Sequence, residues 1–153
     1  MASTISIQTL MNSIQLPVLT INQHEQSIFK TLSLSLSDYN GMFISERQSA
    51  LNYRHRFSES GYESDWHVAG DPTLITIQQG AIELVTRLGE KRRFGLGEQF
   101  IAADYLHLKT LEDEGIGHKA RVLGNTPLLA LHIKLSTEPK AWLHKYTTLL
   151  TGK

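Results

Sequence analysis

In the stretch GYESDWHVAGDPTLITIQQG, residues Gly61–Gly80, β-prone residues crowd the second half (Leu74, Ile75, Thr76, Ile77) and a glycine closes it. That pattern predicts a strand delivered into a tight turn. Trp66 and His67 stand just upstream, beside a Gly-Asp-Pro corner. A similar unit follows: the glycine turn RFGLG at Arg93–Gly97, a strand over Gln99–Ala103, an acidic loop, then Gly115-Ile116-Gly117-His118. Two glycine-punctuated units, each presenting one histidine, are the most informative feature of the chain.

Working outward, Leu16–Ile21 and Thr31–Ser37 read as strands with one buried face, the second with strict Leu/Ser alternation. Asp38-Tyr39-Asn40-Gly41 is a turn cluster, followed by short strands at Phe43–Arg47 and Ala50–Phe57. In the latter, Tyr53, His55 and Phe57 share one face and Arg54 and Arg56 the other. Leu128–Leu135 is a strand apolar on both faces, and its His132 reads as structural. Strands every eight to twelve residues with turns between them point to an all-β sandwich or barrel. At the ends, Ile7, Leu10, Met11 and Ile14 fall on one helical face, predicting a helix from Thr4 to Gln15 stopped by Pro17. A second helix is expected over 138–150, with Thr137 as N-cap, Pro139 in its first turn and Trp142, Tyr146 and Leu149 on its buried face.

Composition narrows the chemistry. The 153 residues suit one domain with a proper core, 41% hydrophobic and 20% charged. Fifteen basic and fifteen acidic residues balance, which argues against a nucleic-acid or anionic-membrane binder working by bulk electrostatics. No cysteine is present, so a metal would need His and carboxylate ligands. No apolar run reaches membrane-span length and no signal peptide is read, so a cytoplasmic location is expected. Walker, dinucleotide, G-x-S-x-G and H-E-x-x-H signatures are missing from the sequence.

The glycine and histidine spacings resemble those of cupins. The first cupin motif, G-x5-H-x-H-x3,4-E-x6-G, is matched at every interval by Gly61, His67, Ala69, Thr73 and Gly80. Gly97-x5-Ala103 is similar to the opening of the second motif and Gly115-x2-His118 to its close, with extra residues 104–114 between them. The resemblance covers about 54–135. It implies a single cupin domain over 1–153, with its barrel core at 43–135. The implied fold is all-β, a double-stranded β-helix (jelly-roll barrel) with an N-terminal helical segment and a C-terminal helix.

In metal-binding members three histidines and a glutamate hold a divalent ion such as Fe, Mn, Ni or Zn. His67 and His118 match the first and last histidines, whereas Ala69 and Thr73 stand where the second histidine and the glutamate belong. The resemblance therefore implies a small-molecule-binding cupin with a degenerate metal site. Its expected ligand-binding residues are His67, His118, Trp66, Thr73, Arg54 and Arg56, the arginines for an anionic ligand. The alternative is a metal-dependent enzyme (isomerase, lyase or dioxygenase-like) with a rebuilt site. Its metal would be held by His67, His118 and a carboxylate from the inserted loop, which offers Asp104, Tyr105, His107, Glu112, Asp113 and Glu114. Asp113 is the choice, because some cupins carry an Asp shortly before G-x-G-H. The expected partners are a small-molecule ligand and a second copy in a homodimer, with no nucleic acid and no membrane.

Overall fold

The computed structural model describes residues 12–106 and 115–152. Its strands, in chain order, are β1 (Ser13–Ile21), β2 (Ser27–Ser35), β3 (Ser37–Tyr39), β4 (Met42–Ile44), β5 (Asn52–Ser58) and β6 (Thr73–Gln79). They continue with β7 (Ile82–Thr86), β8 (Lys91–Phe94), β9 (Gln99–Ala102), β10 (His118–Val122) and β11 (Leu128–Lys134). Helix α1 (Pro139–Tyr146), one 3-10 turn (Thr147–Leu149) and β12 (Leu150–Thr151) follow.

The strands form a seven-stranded sheet, ordered β12-β2-β1-β9-β6-β11-β5, and a three-stranded sheet, β10-β7-β8. Within the large sheet only β1 and β9 run parallel. The β3–β4 hairpin stands apart and turns on Asn40-Gly41, both at positive φ, as a two-residue hairpin turn requires.

Alternation along each strand gives the large sheet two apolar faces. Phe29, Ile75, Ile77, Phe100 and Ala130 turn towards the small sheet and meet Ile82, Leu84, Phe94, Ala120 and Val122. The opposite face presents Leu16, Val18, Leu32 and Ile101 to Trp142 and Tyr146 of α1. The helix thus covers the outside of the sandwich, as its apolar stripe predicts. Among the described residues, no helix is long and apolar enough to cross a membrane.

Several boundaries differ from the sequence reading. Ser13–Gln15, assigned above to an N-terminal helix, are the first residues of β1, and the remainder of that segment lies outside the described residues. The reason is pairing: β1 is in register with β2 along its whole length, from Ser13 opposite Ser35 to Ile21 opposite Ser27. A continuous ladder satisfies more backbone than a helical apolar spacing of four residues can. Strand β2 also begins earlier than its Leu/Ser run, because Ser27 and Phe29 are already buried. The C-terminal helix starts as expected with Pro139 but is capped by Glu138, without a side-chain hydrogen bond, rather than by Thr137. It stops at Tyr146, and Leu150–Thr151 extend to pair with β2.

The glycine that ends β6 has little choice of residue. Gly80 has φ of +76°, and a Cβ there would lie 2.7 Å from the Pro127 carbonyl oxygen. Gly61, at +88°, has open space around the same position. Gly80→Ala should therefore destabilise the fold by about 1–3 kcal/mol or more, and Gly61→Ala by less, since only the dihedral cost applies there. Denaturant unfolding of the two variants checks the order.

Candidate functional site

Between the sheets lies a cavity of about 230 Å³. Its floor is apolar, formed by inward residues such as Ile75, Ile77, Leu84 and Phe100. Its polar groups come from both sheets: His118 from the small sheet, His67 from the loop before β6, and Arg54, Arg56, Thr73 and His132 from the large one. Among the described residues that line it there is no Asp or Glu.

His67 and His118 pair directly. Their backbones form an antiparallel bridge, His67 N–H to the His118 carbonyl at 3.0 Å and His118 N–H to the His67 carbonyl at 2.8 Å. That bridge sets the ring centroids 4.4 Å apart. Gly117 makes the approach possible: its φ is +101°, and a Cβ would sit 3.2 Å from the His67 carbonyl oxygen.

The two rings differ in setting. His67 is exposed at the rim, and its Nδ1–H donates to the Asp65 carbonyl at 2.8 Å. His118 is only 4% exposed, and its Nδ1 is 2.8 Å from Oδ2 of Asp104. Asp104 is completely buried and accepts from several sides: Ser27 Oγ–H at 2.8 Å on Oδ2 and Ala69 N–H at 2.9 Å on Oδ1. Ser27 Oγ in turn accepts from Gly117 N–H at 2.7 Å, so its own hydrogen points to Asp104. A carboxylate surrounded by donors accepts from His118 as well, which puts the imidazole hydrogen on Nδ1. In both histidines Nε2 is then the nitrogen with a lone pair to offer. Such a nitrogen can accept a hydrogen bond, take a proton, or ligate.

At the other end of the cavity, Arg54 and Arg56 project from the inner face of β5. His132 sits directly opposite Arg54 on β11, with Ile75 of β6 on its other side. Thr73 lines the same end, its hydroxyl donating to the Asp71 carbonyl at 2.9 Å. Burial, with the positive charges of Arg56 and Arg54, lowers the His132 imidazole to about 4. Its Nε2 is buried without a hydrogen-bond partner.

The structure thus brings His67, His118, Thr73, Arg54 and Arg56 to one cavity, and Ala69 lines it too. Trp66 does not line it. Its ring lies instead against the Arg87 guanidinium, 4.7 Å from the ring centre, and the Lys119 ammonium at 5.0 Å. Asp113 lies outside the described residues. Sequence reasoning grouped Asp104 with the loop carboxylates, although it directly follows the buried Ala102-Ala103 of the β9 end. It read His132 as structural and passed over Ser27. The signal for His132 was its register opposite Arg54, which needs the strand pairing.

The donor set was tested against the family's metal. Both oxygens of Asp104 are engaged by donors, and neither Ala69 nor Thr73 replaces the missing ligands. Among the described residues no group of three or more His, Asp or Glu could hold a metal ion. Two imidazoles alone do not fit a firmly held ion.

The motif glycines Gly61, Gly80, Gly97 and Gly115 all take positive φ at turns, and the two motif histidines meet inside a two-sheet β-sandwich. This arrangement resembles that of cupins. Similar solved structures include a cupin 2 domain-containing protein from Halorhodospira halophila, with 12% identity and a TM-score of 0.43 over 74% of this chain and 88% of that one. A polyketide cyclase from Streptomyces resistomycificus is similar at 15% identity and a TM-score of 0.42, over 78% and 83% of the two chains. A conserved Streptococcus pyogenes protein of unknown function is similar at 17% identity and 0.43, over 61% and 71%. No family model matches the sequence, and no curated protein matches it.

The cavity carries a pH signature. The folded value of His132, about 4, lies below the ordinary 6.5, so between them the unfolded chain binds more protons. This contribution to stability is intact above 6.5 and is lost as pH falls towards 4. His132→Gln should therefore show a smaller fall in Tm across that interval than the parent protein, by thermal denaturation monitored at several pH values.

Proposed function

We propose that this cupin binds a small polar or anionic molecule in the cavity between its sheets, one end held by His67 and His118, and that the family's usual metal site is degenerate. The observation that carries this reading is the buried Asp104–His118 pair. It fixes one tautomer of an imidazole that lines the cavity, its ring centre 4.4 Å from that of a second imidazole. A polar occupant can meet both imidazole nitrogens at once.

A second reading, the metal-dependent enzyme (isomerase, lyase or dioxygenase-like), has one observation in its favour. A carboxylate behind a histidine is the usual partner of a metal-ligating imidazole. His67 and His118 would then need a further ligand from the segment 107–114, with Asp113 as the candidate.

Elemental analysis of protein purified without chelator or a His tag separates the two. The binding reading expects little bound metal, together with a thermal shift from polar metabolites that His118→Gln abolishes. Near-stoichiometric Fe, Mn, Ni or Zn would favour the enzyme. No metal and no thermal shift with any metabolite tested would sink both.

We also propose that the protein is a homodimer. Strand β5 ends the large sheet, and on its outward face Tyr53 is 69% and Phe57 61% exposed. An edge of that kind favours a second copy. Light scattering at micromolar concentration should give twice the chain mass, and Tyr53→Glu with Phe57→Glu should reduce it to the monomer. A monomeric parent protein would contradict the proposal.

A further inference from the structure

We infer that the β5–β11 end of the cavity is a carboxylate clamp, formed by Arg54, Arg56 and His132, and that the ligand is a small organic acid. This rests on the cavity reading above and names the chemical class that the cavity selects.

The charge arrangement is the first ground. Several other cations around the sandwich are matched: Arg93 and Arg121 share Glu83 at 2.8 Å each, Arg92 pairs with Glu90 at 3.2 Å, and Lys134 pairs with Asp71 at 3.2 Å. Arg54 and Arg56 have no carboxylate partner among the described residues. Arg56 is steered by Nε–H donation to Ser58 Oγ at 3.0 Å and by the Tyr62 ring, 5.1 Å from its guanidinium carbon. That leaves its terminal nitrogens free for another group. Two guanidinium groups two residues apart, on a strand face that lines a cavity without acidic residues, describe an anion site.

His132 is the second ground. It faces Arg54 and Arg56 from the neighbouring strand, and its buried Nε2 lacks a partner. The lowered proton affinity described above keeps it neutral. Where the ring carries its hydrogen on Nε2, a carboxylate oxygen between it and the arginines supplies the acceptor. Burying that N–H with nothing to meet it is otherwise unfavourable.

Size and lining select an organic acid over a bare inorganic anion. A cavity of about 230 Å³ has room for roughly eight waters at ~30 Å³ each. Phosphate would leave most of the apolar floor of Ile75, Ile77 and Phe100 wetted. A carboxylate with a compact apolar or aromatic body covers that floor and extends towards His67 and His118.

Histidine-resolved NMR titration with benzoate, benzamide and inorganic phosphate tests the clamp. Benzoate should shift the His132 ring resonances and raise their titration midpoint. Benzamide, the same shape without charge, should bind at least about tenfold more weakly. Arg54→Gln and Arg56→Gln should each weaken benzoate about tenfold, with Arg54→Lys between them and the parent. Arg54 is exposed, so its variants are expected to fold, and far-UV circular dichroism verifies this. Equal affinity for benzoate and benzamide, tighter binding of phosphate, no binding of benzoate at millimolar concentration, or unchanged benzoate affinity in folded Arg54→Gln and Arg56→Gln would each overturn the clamp. Benzoate binding lost in His118→Gln but kept in both arginine variants would overturn the clamp and leave the histidine end standing. Binding lost in the arginine variants and indifferent to His67→Gln and His118→Gln would support the clamp and remove the histidine end.

Discussion

The buried carboxylate of Asp104 is the constraint on which the cavity depends. It is fully enclosed, and burial of a charge is tolerated only where donors surround it. Those donors come from separate parts of the chain: Ser27 at the start of β2, the Ala69 amide in the loop before β6, and His118 at the start of β10. The Asp104 carbonyl also accepts from the Gly70 amide at 2.9 Å. One side chain therefore ties both sheets to the loop that carries His67. The orientation of His118 is a by-product of the same network, because its ring is one of the donors the carboxylate needs.

The small sheet separates two electrostatic environments. On its outer face Glu83 is clasped by Arg93 and Arg121, a group in which one carboxylate meets two guanidiniums. Across the cavity, Arg56 meets Ser58 and the Tyr62 ring, and neither Arg54 nor Arg56 has a carboxylate partner among the described residues. The overall charge of the chain is zero, yet its distribution is uneven at this scale. Total charge bears on bulk attraction to polymers and membranes, whereas an anion pocket depends on which few cations lack a partner.

Much of this was legible in the residues. The glycines at 61, 80, 97 and 115 require backbone conformations that other residues avoid, so their spacing carries turn positions directly. His67 and His118 were legible because each sits at a fixed offset from such a turn. Arg54 and Arg56 were readable as one face of a strand, although which face turns inward is decided by pairing with β11. The meeting of Ser27 with Asp104 spans 77 residues of chain, and nothing local to either announces it. Trp66 misled because adjacency to His67 in sequence does not place its ring in the same cavity; it lies against Arg87 and Lys119 instead. The helical spacing of Ile7 to Ile14 misled at its end, where β1 had already begun to pair with β2.

The two ends of the large sheet are built differently, and this bears on symmetry. At one end β12 engages β2 at only Leu150 and Thr151, which interrupts that edge before it can offer a long template. At the other, β5 presents seven residues whose outer side is unpaired among the described residues. Joining β5 to its own copy places the same strand on both sides of a two-fold axis. Such a contact uses up one edge per subunit and closes at two, whereas a sheet with two equivalent open edges can add copies without end. In the proposed dimer the short strand at Leu150–Thr151 would act as a stop, keeping assembly finite rather than fibrous.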